Sequence, residues 1–237
     1  MNLQGDVYMS CDPAGGQGGD RTVLSYLRGN CIFKVECFSN MSETDAIDYI
    51  IERMYEYKVK PENCAIDVTG LGAGLGNGLQ KRGFDICKFV AGAASTKVYK
   101  FYQFYNQKAE AAWNLRIAMQ NGLRILDRAD IEKDILMPRY STEDQKTIRI
   151  ESKADLKKRS GGKSSDIFDS LAMTVFLSEN YFIETVKNGD WSQCVFEPTE
   201  MQRHFNKMDE VPENNYLDND YLSEAFYQDS LLGHGLF

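Results

Sequence analysis

Four aspartates from three distant parts of the chain fall where secondary structure changes, and no other feature restricts the fold as much. Residues 6 to 11 (DVYMSC) alternate like a strand and stop at Asp12-Pro13, because proline cannot continue a ladder. The apolar run Cys64 to Val68 (CAIDV) carries Asp67 near its end. Asp166 and Asp169 open a helical pattern in which Ile167, Leu171 and Val175 supply an apolar stripe. Three residues apart, those two acids share one helix surface. Taken singly, each aspartate is an ordinary turn or cap residue, and acids early in a helix also suit its macrodipole. Taken together they converge if the first and fourth strands are neighbours in a mixed sheet and the last helix packs at their ends.

The stretch Glu151 to Phe176 (ESKADLKKRSGGKSSDIFDSLAMTVF) is the densest in signals. A basic, glycine-broken segment with Lys153, Lys157, Lys158, Arg159 and Lys163 runs into Ser164-Ser165, a pair suited to cap the following helix. Upstream, Gly29-Asn30 separates the strand-like runs Thr22 to Leu27 and Cys31 to Phe38, so three antiparallel strands open the chain. Ser42 with Glu43 and Asp45 starts a helix that places Ile47, Ile50, Ile51, Met54 and Tyr55 on or near one face and ends before Pro61. After the strand with Asp67 come a short helix to Arg82, a strand over Ile86 to Val90, and a long helix from about Gln103 to Asn121 stopped by Gly122. Short strands at Leu123 to Leu126 and Thr147 to Ile150 flank a helix over Asp130 to Met137.

Charge divides the chain in two. The net charge is −8, yet residues 1 to 183 hold 24 basic and 24 acidic groups, so the acidity belongs to residues 184–237. That extension alternates isolated aromatics (Trp191, Phe196, Tyr216, Tyr221) with Asp, Glu and Asn and lacks steady periodicity, the pattern of a partner-binding or disordered segment. At 237 residues the chain can hold one sizeable core, and its 43% hydrophobic content agrees with a globular domain plus an appendage. No apolar run approaches 18 residues and no charged-then-apolar leader exists, so the sequence reads as soluble and intracellular, with no membrane partner. Six cysteines without a CxxC spacing argue against zinc and for a reducing compartment. Both histidines, His204 and His234, lie in the extension, which excludes a histidine triad from residues 1–183 and leaves carboxylates as the acid, base or metal groups.

Two glycine-rich segments fail the tests they invite. In TGLGAGLGNG no frame satisfies GxGxxG, since Leu75 or Asn77 stands where the last glycine belongs. The GKS of Gly162 to Ser164 has Lys157 where the phosphate loop needs its first glycine. The glycines of the first segment then serve tight turns or let backbone approach a phosphate. The element order is three antiparallel strands, helix, strand, helix, strand, then helices, which is the order of a ribonuclease H-like fold, though order alone leaves other α/β folds open. Clustered Asp12, Asp67, Asp166 and Asp169 could not all stay ionised unaided. Mg²⁺ or Mn²⁺ resolves that conflict, and two such ions are the usual apparatus for in-line attack of water on a phosphodiester.

The segments DPAGGQGGDRT, AIDVTGLGAGLGNGLQKRG and ESKADLKKRSGGKSSDIFDSLAMT, in that order, resemble the three signature segments of the C-terminal nuclease domain of phage and prophage terminase large subunits. The last is similar to that family's SPDxxDAL motif, with Ser165 in place of proline and Ser170 in place of alanine. The resemblance covers roughly residues 5 to 180. It implies a metal-dependent endonuclease of ribonuclease H-like fold that cuts concatemeric double-stranded DNA during genome packaging in the host cytoplasm. Asp12, Asp67 and Asp166 would be catalytic and hold two Mg²⁺ or Mn²⁺ ions, with Asp169 ligating or orienting a ligand. Asp20 matches a motif acid without an assigned role. Lys157, Lys158, Arg159 and Lys163 would bind the phosphate backbone with little sequence readout. Portal, small terminase subunit and a packaging ATPase domain are the partners the resemblance implies, with the acidic extension as a docking segment. The phosphate loop of that ATPase is absent, so the expectation is an isolated nuclease portion or a split gene product. Two rivals remain: a junction-resolving or transposase-like nuclease of the same fold, and a catalytically silent packaging or scaffold module.

Overall fold

The computed structural model describes residues 4–14, 21–70, 72–95, 103–126, 128–143 and 147–178. Asp20 and the extension 184–237 lie outside the described residues. Three strands, β1 (Val7–Asp12), β2 (Thr22–Arg28) and β3 (Cys31–Phe38), form an antiparallel meander. The strand β4 (Cys64–Asp67) runs parallel to β1, and β5 (Cys87–Phe89) parallel to β4. With β7 (Arg124–Ile125) on the far edge, the sheet order is β5-β4-β1-β2-β3-β7. The mixed α/β architecture and the neighbourhood of first and fourth strands are those read from the sequence.

Both faces of this sheet are covered, which is why β2 (TVLSYLR) reads as an almost unbroken buried run rather than an alternation. On one face, Met9, Cys11, Leu24, Tyr26 and Ile66 pack against α1 (Glu43–Tyr57) and α2 (Gly72–Lys81). Ser42 caps α1 by accepting from the Asp45 amide at 3.2 Å, and Lys58 ends it in the left-handed region. On the other face, Val23, Leu27 and Val35 meet α3 (Gln107–Gln120), α4 (Ala129–Ile135) and α6 (Asp166–Ser178).

The glycines of TGLGAGLGNG are used differently from either expectation. Only Gly70 takes a positive φ among the described ones, while Gly72, Gly76 and Gly78 lie inside α2, where any Cβ would collide with a neighbouring element. At Gly72 the added carbon would stand 1.7 Å from the Asp67 carbonyl oxygen. Close packing of α2 on β4 and α1 therefore overrides the poor helix propensity of glycine.

The last helix meets the sheet through hydroxyls. Ser10 of β1 donates to the Ser170 carbonyl at 2.7 Å and lies 2.7 Å from the Thr174 hydroxyl, and Ser25 of β2 lies 2.9 Å from the Ser170 hydroxyl. All four are buried. Small side chains let the helix approach the strands closely, and each buried hydroxyl finds a partner there.

A second sheet, which the sequence reading did not resolve, joins β6 (Gln103–Phe104), β9 (Thr147–Ile150) and β8 (Tyr140–Glu143) in the order β6-β9-β8. It packs Phe104 and Ile148 on Ala109 and Trp113 of α3. The basic segment after β9 is itself a helix, α5 (Lys153–Ser160), capped by Ser152 and ended by Gly161 at φ 71°. Among the described residues no helix is long and apolar enough to cross a membrane.

Candidate metal centre

Strand alternation delivers the first two acids. Tyr8, Ser10 and Asp12 point to the face of β1 that carries α6, and Asp67 stands one residue beyond the Cys11–Ile66 pair, beside Asp12. Both line a cleft of about 500 Å³ together with Asp169, Lys153, Lys108, Glu151, Tyr105 and Arg149. The first turn of α6 presents Asp166 and Asp169 to the same region, as their spacing requires.

The centre of the cluster is an ammonium. Lys153 Nζ lies 3.0 Å from Asp12 Oδ2, 3.3 Å from Asp169 Oδ2 and 3.5 Å from Asp166 Oδ1. Lys108 of α3 holds the other side of Asp169, 2.8 Å from Oδ1. Asp166 is 1% exposed and its two oxygens differ. Oδ2 accepts from the Arg21 amide at 3.0 Å and from the Ser164 hydroxyl at 2.6 Å, whereas Oδ1 is buried without a hydrogen-bond partner. Asp67 turns toward its own chain, accepting from the Thr69 amide at 2.9 Å, and shares the cleft with Lys153. Among the described residues, no three of His, Cys, Asp or Glu close up into a ready cation cage.

The electrostatics follow from that crowding. Burial, with Asp169 and Asp166 adding like charge, pushes the Asp12 carboxyl up to about 7 against the pull of Lys153. Burial alone would raise Asp169 too, but the ammoniums of Lys108 and Lys153 hold it below its ordinary value. Burial works against the charge of Lys153, yet Asp12, Asp169 and Asp166 together raise it well above the usual range. Negative charge here exceeds what one lysine balances. The donors are oxygens throughout, the set that suits a hard divalent cation, and Asp166 Oδ1, which has no hydrogen bond, and the crowded Asp12 are the groups such a cation would satisfy.

Sequence reasoning missed the residue that braces this helix. Asp134 of α4, 2% exposed, accepts from the Phe168 amide in the first turn of α6 at 3.1 Å and pairs with the Arg21 guanidinium at 2.8 Å. It thus supplies a cap expected from Ser164-Ser165 and holds the segment whose amide fixes Asp166. Burial pushes its carboxyl to about 7 in spite of the Phe168 amide and Arg21. No local pattern marks Asp134; its role exists only in the tertiary fold. Lys108 and Lys153 are likewise visible as site residues only once α3, α5 and α6 are assembled.

The four basic residues expected at DNA do not line the cleft. Arg159 donates to both oxygens of buried Glu151, at 3.0 and 2.7 Å, and to the Met137 carbonyl at 2.6 Å, so it ties α5 to β9 and the α4–β8 turn. Lys158 is exposed and 3.7 Å from Asp155, Lys163 is exposed, and Lys157 is half-buried.

The nuclease domain of the large terminase subunit gp2 of bacterial virus Sf6 matches over 73% of this chain and 89% of that one, at 17% identity and a TM-score of 0.61. The large terminase nuclease from thermophilic phage G20c with bound magnesium matches over 73% and 83%, at 17% identity and a TM-score of 0.52. The fold is that of large terminase nuclease domains. A mutant of the Sf6 domain with manganese also matches, over 73% of this chain and 89% of that one, at 16% identity and a TM-score of 0.60. No family model matches the sequence, and no curated protein matches it.

Proposed function

We propose that the chain is the nuclease of a phage packaging terminase, an endonuclease that cuts concatemeric double-stranded viral DNA with two Mg²⁺ or Mn²⁺ ions. One observation carries the reading: Asp12, Asp166 and Asp169, drawn from distant parts of the sequence, converge on a single ammonium in a cleft that Asp67 also lines. The terminase-nuclease fold and the ions bound in its structural relatives agree with it.

Asp12, Asp67 and Asp166 would hold the ions, with Asp169 as a further ligand or as the anchor that keeps Lys108 and Lys153 in place. When bound, the ions supply an activated water and offset charge on the phosphodiester. The chain's own work is positional. Arg21 and Ser164 fix one oxygen of Asp166 and leave the other, buried, 3.5 Å from Lys153 Nζ. Lys153 keeps the carboxylates together, and its charge is the one that bound divalent ions would replace. Lys157, Lys158, Arg159 and Lys163 add positive charge on the α5 side and steer the phosphate backbone toward the cleft. Portal, a small terminase subunit and a packaging ATPase domain are the partners of such a nuclease, and the acidic extension is their proposed docking segment.

Supercoiled plasmid incubated with Mn²⁺ tests the assignment. The expected result is nicking that Asp67→Ala and Asp166→Ala abolish with unchanged far-UV circular dichroism. Absence of cleavage across metals and salt concentrations would leave a silent packaging module, and a strong preference for branched DNA would favour a junction-resolving nuclease.

A further inference from the structure

One residue pair holds Asp166 from two sides. Arg21 stands just before β2, and its amide donates to Asp166 Oδ2 at 3.0 Å. Its guanidinium donates to Asp134 Oδ2 on α4 at 2.8 Å, while Asp134 Oδ1 accepts from the Phe168 amide at 3.1 Å. Phe168 lies two residues beyond Asp166 in the first turn of α6. The contacts close a circuit: Arg21 binds Asp166, Asp134 binds Arg21, and the helix that carries Asp166 binds Asp134.

Capping alone does not explain this circuit. One amide needs one oxygen, and Ser165, the residue before the helix, is of a type that supplies it locally. The acceptor used comes from 34 residues upstream, is a carboxylate 2% exposed, and gives its second oxygen to Arg21. A buried carboxylate is costly unless paired, so the ion pair is what makes Asp134 tenable there. The circuit also reaches Asp12. Thr22, next to Arg21, accepts from the Ala14 amide at 3.0 Å, two residues past Asp12, and Val23 is in register with Asp12 itself. Residues 21–23 therefore touch the segments that carry both carboxylates.

We propose that the Arg21–Asp134 ion pair is a positioning device for the metal centre, setting the Asp166 carboxylate against Asp12 and through it the affinity for divalent ions. This inference rests on the metal-centre reading of the cleft. With Oδ2 held by Arg21 and Ser164, the carboxylate cannot turn, and Oδ1, which has no hydrogen bond, keeps a fixed place for an ion. Groups that orient a metal ligand in this way typically contribute about 10–100-fold to metal affinity.

Titration of the metal-free protein with Mn²⁺, followed by calorimetry well below the melting temperature, tests it. Asp134→Asn keeps an oxygen for the Phe168 amide but turns an amide toward the guanidinium, and it should weaken Mn²⁺ binding by about 10–100-fold. Arg21→Gln should do the same, Arg21→Lys should recover part of the loss, and the double variant should bind no worse than Arg21→Gln. Ile50→Val, a core change on α1 across the sheet, should lower the denaturation midpoint and leave Mn²⁺ affinity unchanged, which separates positioning from loss of stability. Folded Arg21 and Asp134 variants that bind Mn²⁺ as tightly as the wild type overturn this inference alone. Weakened Mn²⁺ binding in them beside a wild type that binds Mn²⁺ but cuts no DNA supports it and overturns the nuclease reading. A wild type that binds no Mn²⁺ overturns it together with the metal-centre reading.

Discussion

Replacing Asp12 by asparagine should make the metal-free protein more stable and the metal-bound protein less so. Asp12 is 3% exposed and its carboxyl is pushed from 3.8 to about 7. Between those values the folded state keeps a proton that the unfolded chain has released, so stability falls as pH rises through the window and is lowest above it. At 1.36 kcal/mol per unit, the ionised carboxylate costs about 4 kcal/mol at pH 8. That figure already contains the pull of Lys153, and relaxation of solvent and side chains around the site discounts it by roughly half, leaving a gain of about 2 kcal/mol. For a domain of this size that is about 4–8 °C in Tm. At pH 5 only about a third of the window has been crossed, and the gain should shrink in proportion. Mn²⁺ should reverse the order, since saturation at 100 times Kd stabilises the wild type by about 2.7 kcal/mol and a neutral amide binds the ion poorly. Thermal melts at pH 5 and pH 8, with and without Mn²⁺, read all four values. A variant equally destabilised at both pH values, or one that gains as much from Mn²⁺ as the wild type, refutes the reasoning.

Asp134→Ala leaves the Phe168 amide buried without its acceptor and should cost about 2–4 kcal/mol, whereas Asp134→Asn keeps an acceptor and should cost about 1 kcal/mol; urea midpoints at unchanged m-value check both. Gly72→Ala drives a methyl against the Asp67 carbonyl and should cost about 1–3 kcal/mol and also depress nicking at temperatures where the variant is fully folded, measured on plasmid beside a melt. Reversing charge at Lys157 and Lys158 should weaken duplex binding and flatten its salt dependence by about two units, with an unchanged slope counting against the α5 segment.

Strong local punctuation made much of the fold legible. Pro13 stopped β1, Gly29-Asn30 set the β2–β3 turn, Ser42 capped α1 and Gly122 at φ 82° ended α3. What failed had no local period to read. The helix α5 (KADLKKRS) buries only Leu156, so it carries no apolar stripe, although Ser152, Asp155 and Gly161 are cap signals that would have bounded it. The two-residue β6 exists because β9 pairs with it. Tyr55, expected near the buried face of α1, is exposed beside Phe84. For the site, the carboxylates were legible from their positions at element ends. Their partners Lys108, Lys153, Arg21 and Asp134 were not: Lys153 and Arg21 lie in segments rich in signals, but which carboxylate each of the four meets is decided only when its element packs against the others.

Anomalous diffraction from crystals grown with Mn²⁺ tests the central claim most directly. The account predicts manganese within about 2.2 Å of oxygens from Asp12 and Asp166, with Asp67 turned toward the ions and Lys153 displaced from the carboxylates. A cleft without manganese, Lys153 still among the acids, while the ion binds elsewhere or nowhere, would contradict it.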